Sequence, residues 1–194
     1  MISEITLATT NKGKVSEFER AFENFKIKFK AISADIFNCP ETASTFLGNA
    51  MLKAQMAANI TQNYALADDS GLCVKALGEE PGIYSARYFE KGQGLQKILS
   101  SLQGSSNRQA YFICALVLVN PQGQVIWQTE QKWNGLISQQ IKGDKGFGYD
   151  PIFIPEGLNC TVGELEPAIK EEISHRGKAI NELKSFLQFI NVSS

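Results

Sequence analysis

Four stretches of the chain carry the side chains most able to do chemistry. The first, Thr9-Thr10-Asn11-Lys12-Gly13-Lys14, combines hydroxyl, amide and ammonium donors with a glycine just ahead of an amphipathic pattern. Free N–H groups at a helix N-terminus together with two lysines make an anion cradle. The spacing is not that of a P-loop, and an ordinary N-cap with solvated lysines is the plain alternative. The second, Ala67-Asp68-Asp69-Ser70-Gly71, sets two adjacent carboxylates at the end of an apolar run. Carboxylate oxygens are the hard ligands that Mg²⁺ prefers, and neighbours in an extended chain face opposite ways, so one serves a site while the other caps or solvates. An Asx-turn is the competing reading. Glu41, after Cys39-Pro40, is a further loop carboxylate.

The third stretch, Gly143 to Pro151, interleaves glycines with Phe147 and Tyr149 and closes on Asp150 before a proline. Glycine lets backbone approach a ligand closely, and an exposed aromatic offers a stacking face to a base. Otherwise it is a hairpin loop whose Phe and Tyr turn into the core. The fourth, Ser174-His175-Arg176-Gly177-Lys178, holds the only histidine, at a helix start. A single His gives no zinc cluster, and no G-x-S-x-G elbow supplies a serine nucleophile. As a cap or packing group it would have no chemistry at all.

These stretches need elements to position them. Ile2 to Ala8 predicts a strand, and Val15, Phe18, Phe22 and Phe25, at steps of three, four and three, predict a helix after it. Ile27, Phe29 and Ala31 alternate with Lys28, Lys30 and Ile32, a second strand that leaves its lysines in solvent and pairs in parallel with the first. Thr45 to Gln62 is free of proline and rich in helix formers. Tyr64 to Ala67 and Leu72 to Leu77 read as short strands around a tight polar turn at Asp68 to Gly71. Gly94 to Leu102 suggests a short helix. Ala110 to Val119 and Gln124 to Trp133 form a long hairpin across Asn120-Pro121-Gln122-Gly123. A brief strand at Ile152 to Ile154 precedes a C-terminal helix that starts near His175 and carries Ile180, Leu183, Leu187 and Ile190 as its apolar stripe. The class is α/β, with no repeat or linker boundary.

Composition narrows the function. The 194 residues, 43% apolar, suit one compact domain or two lobes sharing a core. With 19 Lys+Arg against 20 Asp+Glu the net charge is −1, which supplies no overall field for nucleic acid or an anionic membrane. The longest apolar run, Phe112 to Val119, is far short of the ~20 residues that span a bilayer. The N-terminal residues do not have the pattern of a secretory signal. Cys39, Cys73, Cys114 and Cys160 form no C-x-x-C pair, so buried reduced thiols and a cytosolic compartment are expected.

Taken together and in order, the segments resemble the inosine triphosphate pyrophosphatase family, which hydrolyses aberrant purine nucleoside triphosphates such as ITP, dITP and XTP. The family's T-G-N-x-x-K opening is similar to Thr9 to Lys14. Its E-T-x-x-T-F-x-x-N-A-x-x-K-A segment is matched by Glu41-Thr42, Thr45-Phe46, Asn49-Ala50 and Lys53-Ala54, and A-D-D-S-G-L by Ala67 to Leu72. Pro81 to Tyr88 resembles P-G-x-x-S-A-R-Y, Gly146 to Phe153 resembles G-F-G-Y-D-P-I-F, and Ser174 to Gly177 matches S-H-R-G. Thr10 stands where Gly or Ser is usual, and Gly48 where Glu is common.

The resemblance implies a single nucleoside-triphosphate pyrophosphatase domain over 1–194. It implies a mixed, elongated sheet with flanking helices in two lobes around a nucleotide-binding cleft, in a cytoplasmic homodimer without nucleic-acid or membrane partners. It makes Asp69 the catalytic carboxylate and Glu41 with Asp69 the holders of Mg²⁺. Lys14 and Lys53, with Thr9, Thr10, Asn11, Lys12, Gly13 and Ser70, would bind the triphosphate. Phe147 would stack on the purine with Gly148 and Tyr149 beside it, while Asp150, Lys170, His175 and Arg176 would read its edge. A non-catalytic purine nucleotide sensor and a pyrophosphatase for modified pyrimidine nucleotides are the alternatives.

Overall fold

The structure, a computed structural model, describes residues 2–90 and 94–192. From the N-terminus the chain forms β1 (Glu4–Leu7), α1 (Lys12–Phe22), β2 (Lys28–Ala31), α2 (Phe46–Thr61) and β3 (Ala65–Val74). It continues through α3 (Ser85–Glu90), α4 (Gly94–Ser101), β4 (Gln109–Val119), β5 (Val125–Ile137), β6 (Phe153–Pro155), α5 (Pro167–Ile173) and α6 (His175–Val192). The strands form one mixed sheet in the order β2-β1-β3-β4-β5-β6. No described helix is long and apolar enough to cross a membrane.

Two compact units divide the chain, and each is built from separated segments. The first takes residues up to 69, 114–130 and from 178 onward; the second takes 70–113 and 131–177. The boundaries fall inside β3, β4, β5 and α6, which is why no linker composition marks them.

In the first unit, β1 pairs in parallel with β2, Ile5 opposite Phe29, and with β3, Leu7 opposite Leu66. The crossover through α1 is the one the alternating pattern predicts, and Lys28 and Lys30 are exposed. Helix α1 stops at Phe22, short of the predicted Phe25, whose ring still packs edge-on against Phe22 at 5.0 Å. Helix α2 matches its predicted span: the Thr45 hydroxyl accepts from the Gly48 N–H, and Gln62 closes the helix in a left-handed conformation. The core joins Ile5, Leu7, Phe18 and Leu66 to Leu116, Leu118, Leu183 and Leu187. Leu183, on α6, is fully buried there. Leu183→Ala is therefore expected to cost ~2–5 kcal/mol of unfolding free energy in a urea titration.

In the second unit, Leu72, Val74, Phe112, Trp133, Ile137, Ile152 and Phe153 form a separate core. β6 pairs antiparallel with the end of β5, Gly135 opposite Pro155. The brief strand begins one residue later than expected, because Asp150–Ile152 winds into a 3₁₀ turn first. Two further helices, α3 and α5, are too short for apolar periodicity to mark them.

The main departure from expectation is at Asp68 to Gly71. No turn forms there; β3 runs unbroken from Ala65 to Val74. Turn composition is decisive only where polar side chains must bond their own backbone or water. Here both carboxylates have partners from other elements, so the extended chain persists and the Asx-turn reading falls. The cysteines are all free thiols, but only Cys73 and Cys114 are buried; Cys39 and Cys160 are partly exposed.

Candidate active site

An ionic group in the first unit is organised by β3. Alternation along the strand separates the two carboxylates, and each meets its own lysine. Asp68, 2% exposed, pairs through Oδ1 with the ammonium of Lys14 from the first turn of α1. Asp69, 5% exposed, accepts through Oδ1 from Lys53 Nζ of α2 at 3.0 Å. Lys53 also donates to Glu41 Oε1 at 2.7 Å. The second oxygen of Asp69, Oδ2, is buried without a hydrogen-bond partner among the described residues. Burial raises the Asp69 carboxyl above the ordinary carboxylate range; Lys53 and Lys14 pull it back, and Glu41 adds to the rise. Burial opposes the charge on Lys53, yet Asp69 and Glu41 together hold its pKa above the usual lysine value.

The loop that brings Glu41 in is seated on the first turn of α2. Asn49 Oδ1 accepts from the Ala43 N–H at 2.9 Å, and a Cβ at position 48 would lie 2.7 Å from the Ala43 Cβ. Gly48 thus makes room for this loop, giving a local reason for the residue that departs from the common pattern.

At the start of α1, Asn11 is the N-cap: its side-chain oxygen accepts from the Lys14 N–H at 3.2 Å, and its own N–H donates to the Thr9 hydroxyl. Thr10, Asn11 and Lys12 are exposed and Thr9, Gly13 and Lys14 half-buried. The cap of the plain reading is therefore present, but Lys14 is not a solvated lysine.

The second unit holds the remaining candidates. Asp150, 3% exposed, accepts through Oδ2 from the Phe147 N–H at 2.8 Å and from Lys170 Nζ of α5 at 2.7 Å. A Cβ at position 146 would lie 2.1 Å from that same oxygen, so only glycine admits the contact. Lys170 Nζ stands 4.3 Å from the Phe147 ring centre and the Arg176 guanidinium 5.7 Å from it. Arg176 donates to the Ser70 hydroxyl at 2.8 Å. Phe147 and Gly148 are half-buried.

Arg176, Tyr149 and His175 are all buried, at 2%, 4% and 4% exposed. Tyr149 is in the second core, its hydroxyl donating to the Ser85 carbonyl at 2.9 Å, so its side chain braces the loop. His175 lies parallel to Phe112, at 4.8 Å between ring centres, and is also stacked on Trp133 at 6.1 Å. Sequence reasoning missed Asp68 as the partner of Lys14, and Cys114, whose thiol donates to Asp68 Oδ2 at 3.1 Å. Nothing in the local sequence links Cys114 to a residue 46 positions away.

Asp69 Oδ2 and Glu41 are hard oxygen donors, and an acceptor without a protein partner suits a cation. Among the described residues no group of three or more His, Cys, Asp or Glu is placed to hold a metal. That donor set fits Mg²⁺, which takes one or two carboxylates and fills its shell with water and substrate phosphate.

The chain is 42% identical to the dITP/XTP pyrophosphatase of Methylacidiphilum infernorum over 194 residues, covering 96% of this chain and 95% of that relative. The solved structure of a HAM1 protein from Coxiella burnetii superposes with a TM-score of 0.88 at 38% identity, over 97% of this chain and 99% of that one. The Staphylococcus aureus Ham1 protein gives a TM-score of 0.82 at 38% identity, over 95% and 98%. Residues 5–186 match the family model, and the chain belongs to the Ham1 family.

Proposed function

We propose that the protein hydrolyses non-canonical purine nucleoside triphosphates, ITP, dITP and XTP, to the monophosphate and pyrophosphate. The observation that carries this reading is the buried Asp69 carboxylate, with one oxygen on Lys53 and the other without a hydrogen-bond partner among the described residues. A protein that only sensed nucleotides would gain nothing from a desolvated acceptor of this kind. Similarity to relatives named dITP/XTP pyrophosphatase supports the substrate class.

In this mechanism Asp69 orients a water molecule and accepts its proton as the oxygen attacks the α-phosphorus. The bond from the α-phosphorus to the bridging oxygen breaks, and pyrophosphate leaves. Lys14 and Lys53 meet the charge on the phosphates, with Ser70 and the donors of Thr9 to Gly13. Glu41 and Asp69 would hold Mg²⁺, which supplies neutralisation of the departing charge when bound. Phe147 stacks on the purine, and Gly148 allows its approach. Lys170 and Arg176 present donors to an oxopurine edge, Asp150 fixing Lys170 and Phe147 and His175 backing the start of α6. The protein acts as a cytoplasmic homodimer.

Base selectivity is tested at Arg176. A charge-assisted hydrogen bond to a 6-oxo group is worth ~1.5–3 kcal/mol, roughly ten- to a hundredfold in discrimination. Arg176→Met is expected to lower kcat/KM for ITP far more than for ATP, whose 6-amino group presents hydrogens. Measuring both constants in both proteins decides it; an equal proportional loss would place selectivity at another residue.

A further inference from the structure

We infer that Cys114 is a positioning residue for substrate binding: its thiol fixes Asp68, and Asp68 holds Lys14 in place for a phosphate. The inference rests on the reading of Lys14 as a phosphate ligand. All three residues belong to the first unit.

Cys114 is fully buried on β4, and its Sγ–H donates to Asp68 Oδ2 at 3.1 Å. Asp68 Oδ1 is the partner of the Lys14 ammonium. The carboxylate is thus held at both oxygens, by a thiol from inside and a lysine from outside. A carboxylate tied at one oxygen swings about its terminal torsion, which is broad and roughly two-fold. A swing would carry the ammonium of Lys14 with it. An ammonium has three N–H donors, so the ion pair with Asp68 does not exhaust Lys14's capacity to donate to a phosphate. This assigns the twin carboxylates different work: Asp69 faces the chemistry, and Asp68 aligns a ligand.

A thiol is a weak donor, and a cysteine is also a good small hydrophobe, so packing must be separated from alignment. Cys114→Ala and Cys114→Ser both remove the sulfur's volume, but only serine keeps a donor. Steady-state kinetics on ITP and XTP with Mg²⁺ are expected to show KM raised roughly five- to tenfold for both substrates in Cys114→Ala, with kcat within about twofold. Cys114→Ser is expected to bring KM back to within about twofold of the parent. In a Lys14→Met background, Cys114→Ala should add no further loss, because the side chain it aligns is gone. Where the alanine variant does not fold, Cys114→Val fills the void without a donor and takes its place.

Equal KM rises in the alanine and serine variants overturn the inference, as does the same factor with and without Lys14. Either would reduce Cys114 to packing while leaving the phosphate role of Lys14 intact. A Lys14→Met protein with unchanged KM would instead overturn the underlying phosphate assignment.

Discussion

Replacing Asp69 with asparagine is expected to lower pyrophosphate release from ITP by roughly a thousandfold or more, with the protein still folded. Asparagine keeps the size of the side chain and loses both the basic oxygen and the charge. The orphaned Oδ2 position becomes either an amide nitrogen, which cannot accept a proton, or an amide oxygen, too weakly basic to do so. Stability moves the other way. The raised pKa means the carboxyl holds its proton more tightly folded than unfolded, so ionising it costs stability as the pH climbs from the ordinary carboxylate range through the raised value. Asparagine carries no such cost, and a Tm at neutral pH equal to or above the parent's is expected. Chelating divalent cations should reproduce the loss of turnover in the native protein. Near-normal pyrophosphate release by Asp69→Asn would remove this residue from both the base and the metal role.

The second large effect is expected at Lys53, and it should strike rate and stability together. Lys53 bridges Asp69 and Glu41, at 3.0 and 2.7 Å, with only 10% of its side chain exposed. Methionine fills the same volume, leaves two carboxylates facing one another, and strips Asp69 Oδ1 of its donor. Removing one partner of a buried pair costs ~3–5 kcal/mol; the 25% exposure of the Glu41 side chain puts Lys53→Met at the low end. Turnover should fall about a hundredfold or more for ITP and XTP alike, since phosphates carry no base identity. A changed ITP:XTP ratio with little loss of rate would contradict the phosphate assignment.

What could be read from the sequence was local. The β1–α1–β2 crossover, α2 with its Thr45 cap, the β4–β5 hairpin and the stripe on α6 all follow from periodicity and capping within a few residues. Proline at the first position of α5 is a local start signal for that helix. The stretch from Asp68 to Gly71 has the composition of a turn, but its conformation depends on Lys14, Lys53 and Cys114, which are remote in the chain. Phe147 and Tyr149 have the same local setting, yet one stays half-buried beside two cations and the other braces Ser85. Only tertiary packing could tell them apart. The candidate residues themselves were legible by resemblance; which of them grip one another was not.

The interleaving of the two units bears on how the chain can acquire its structure as it leaves the ribosome. The core of the first unit draws on β1, α1, β3 and β4, and it also needs Leu183 and Leu187 from α6. Those leucines are synthesised after every residue of the second unit, which ends at 177. At a translation speed of about 5–20 residues per second, the N-terminal strands wait roughly ten to thirty seconds for the helix that completes their core. The second unit therefore has all its residues available first, although it starts later in the sequence. During that interval Phe18, Phe22 and Leu66 lack their final packing partners, making the nascent N-terminal segment the part most in need of a chaperone.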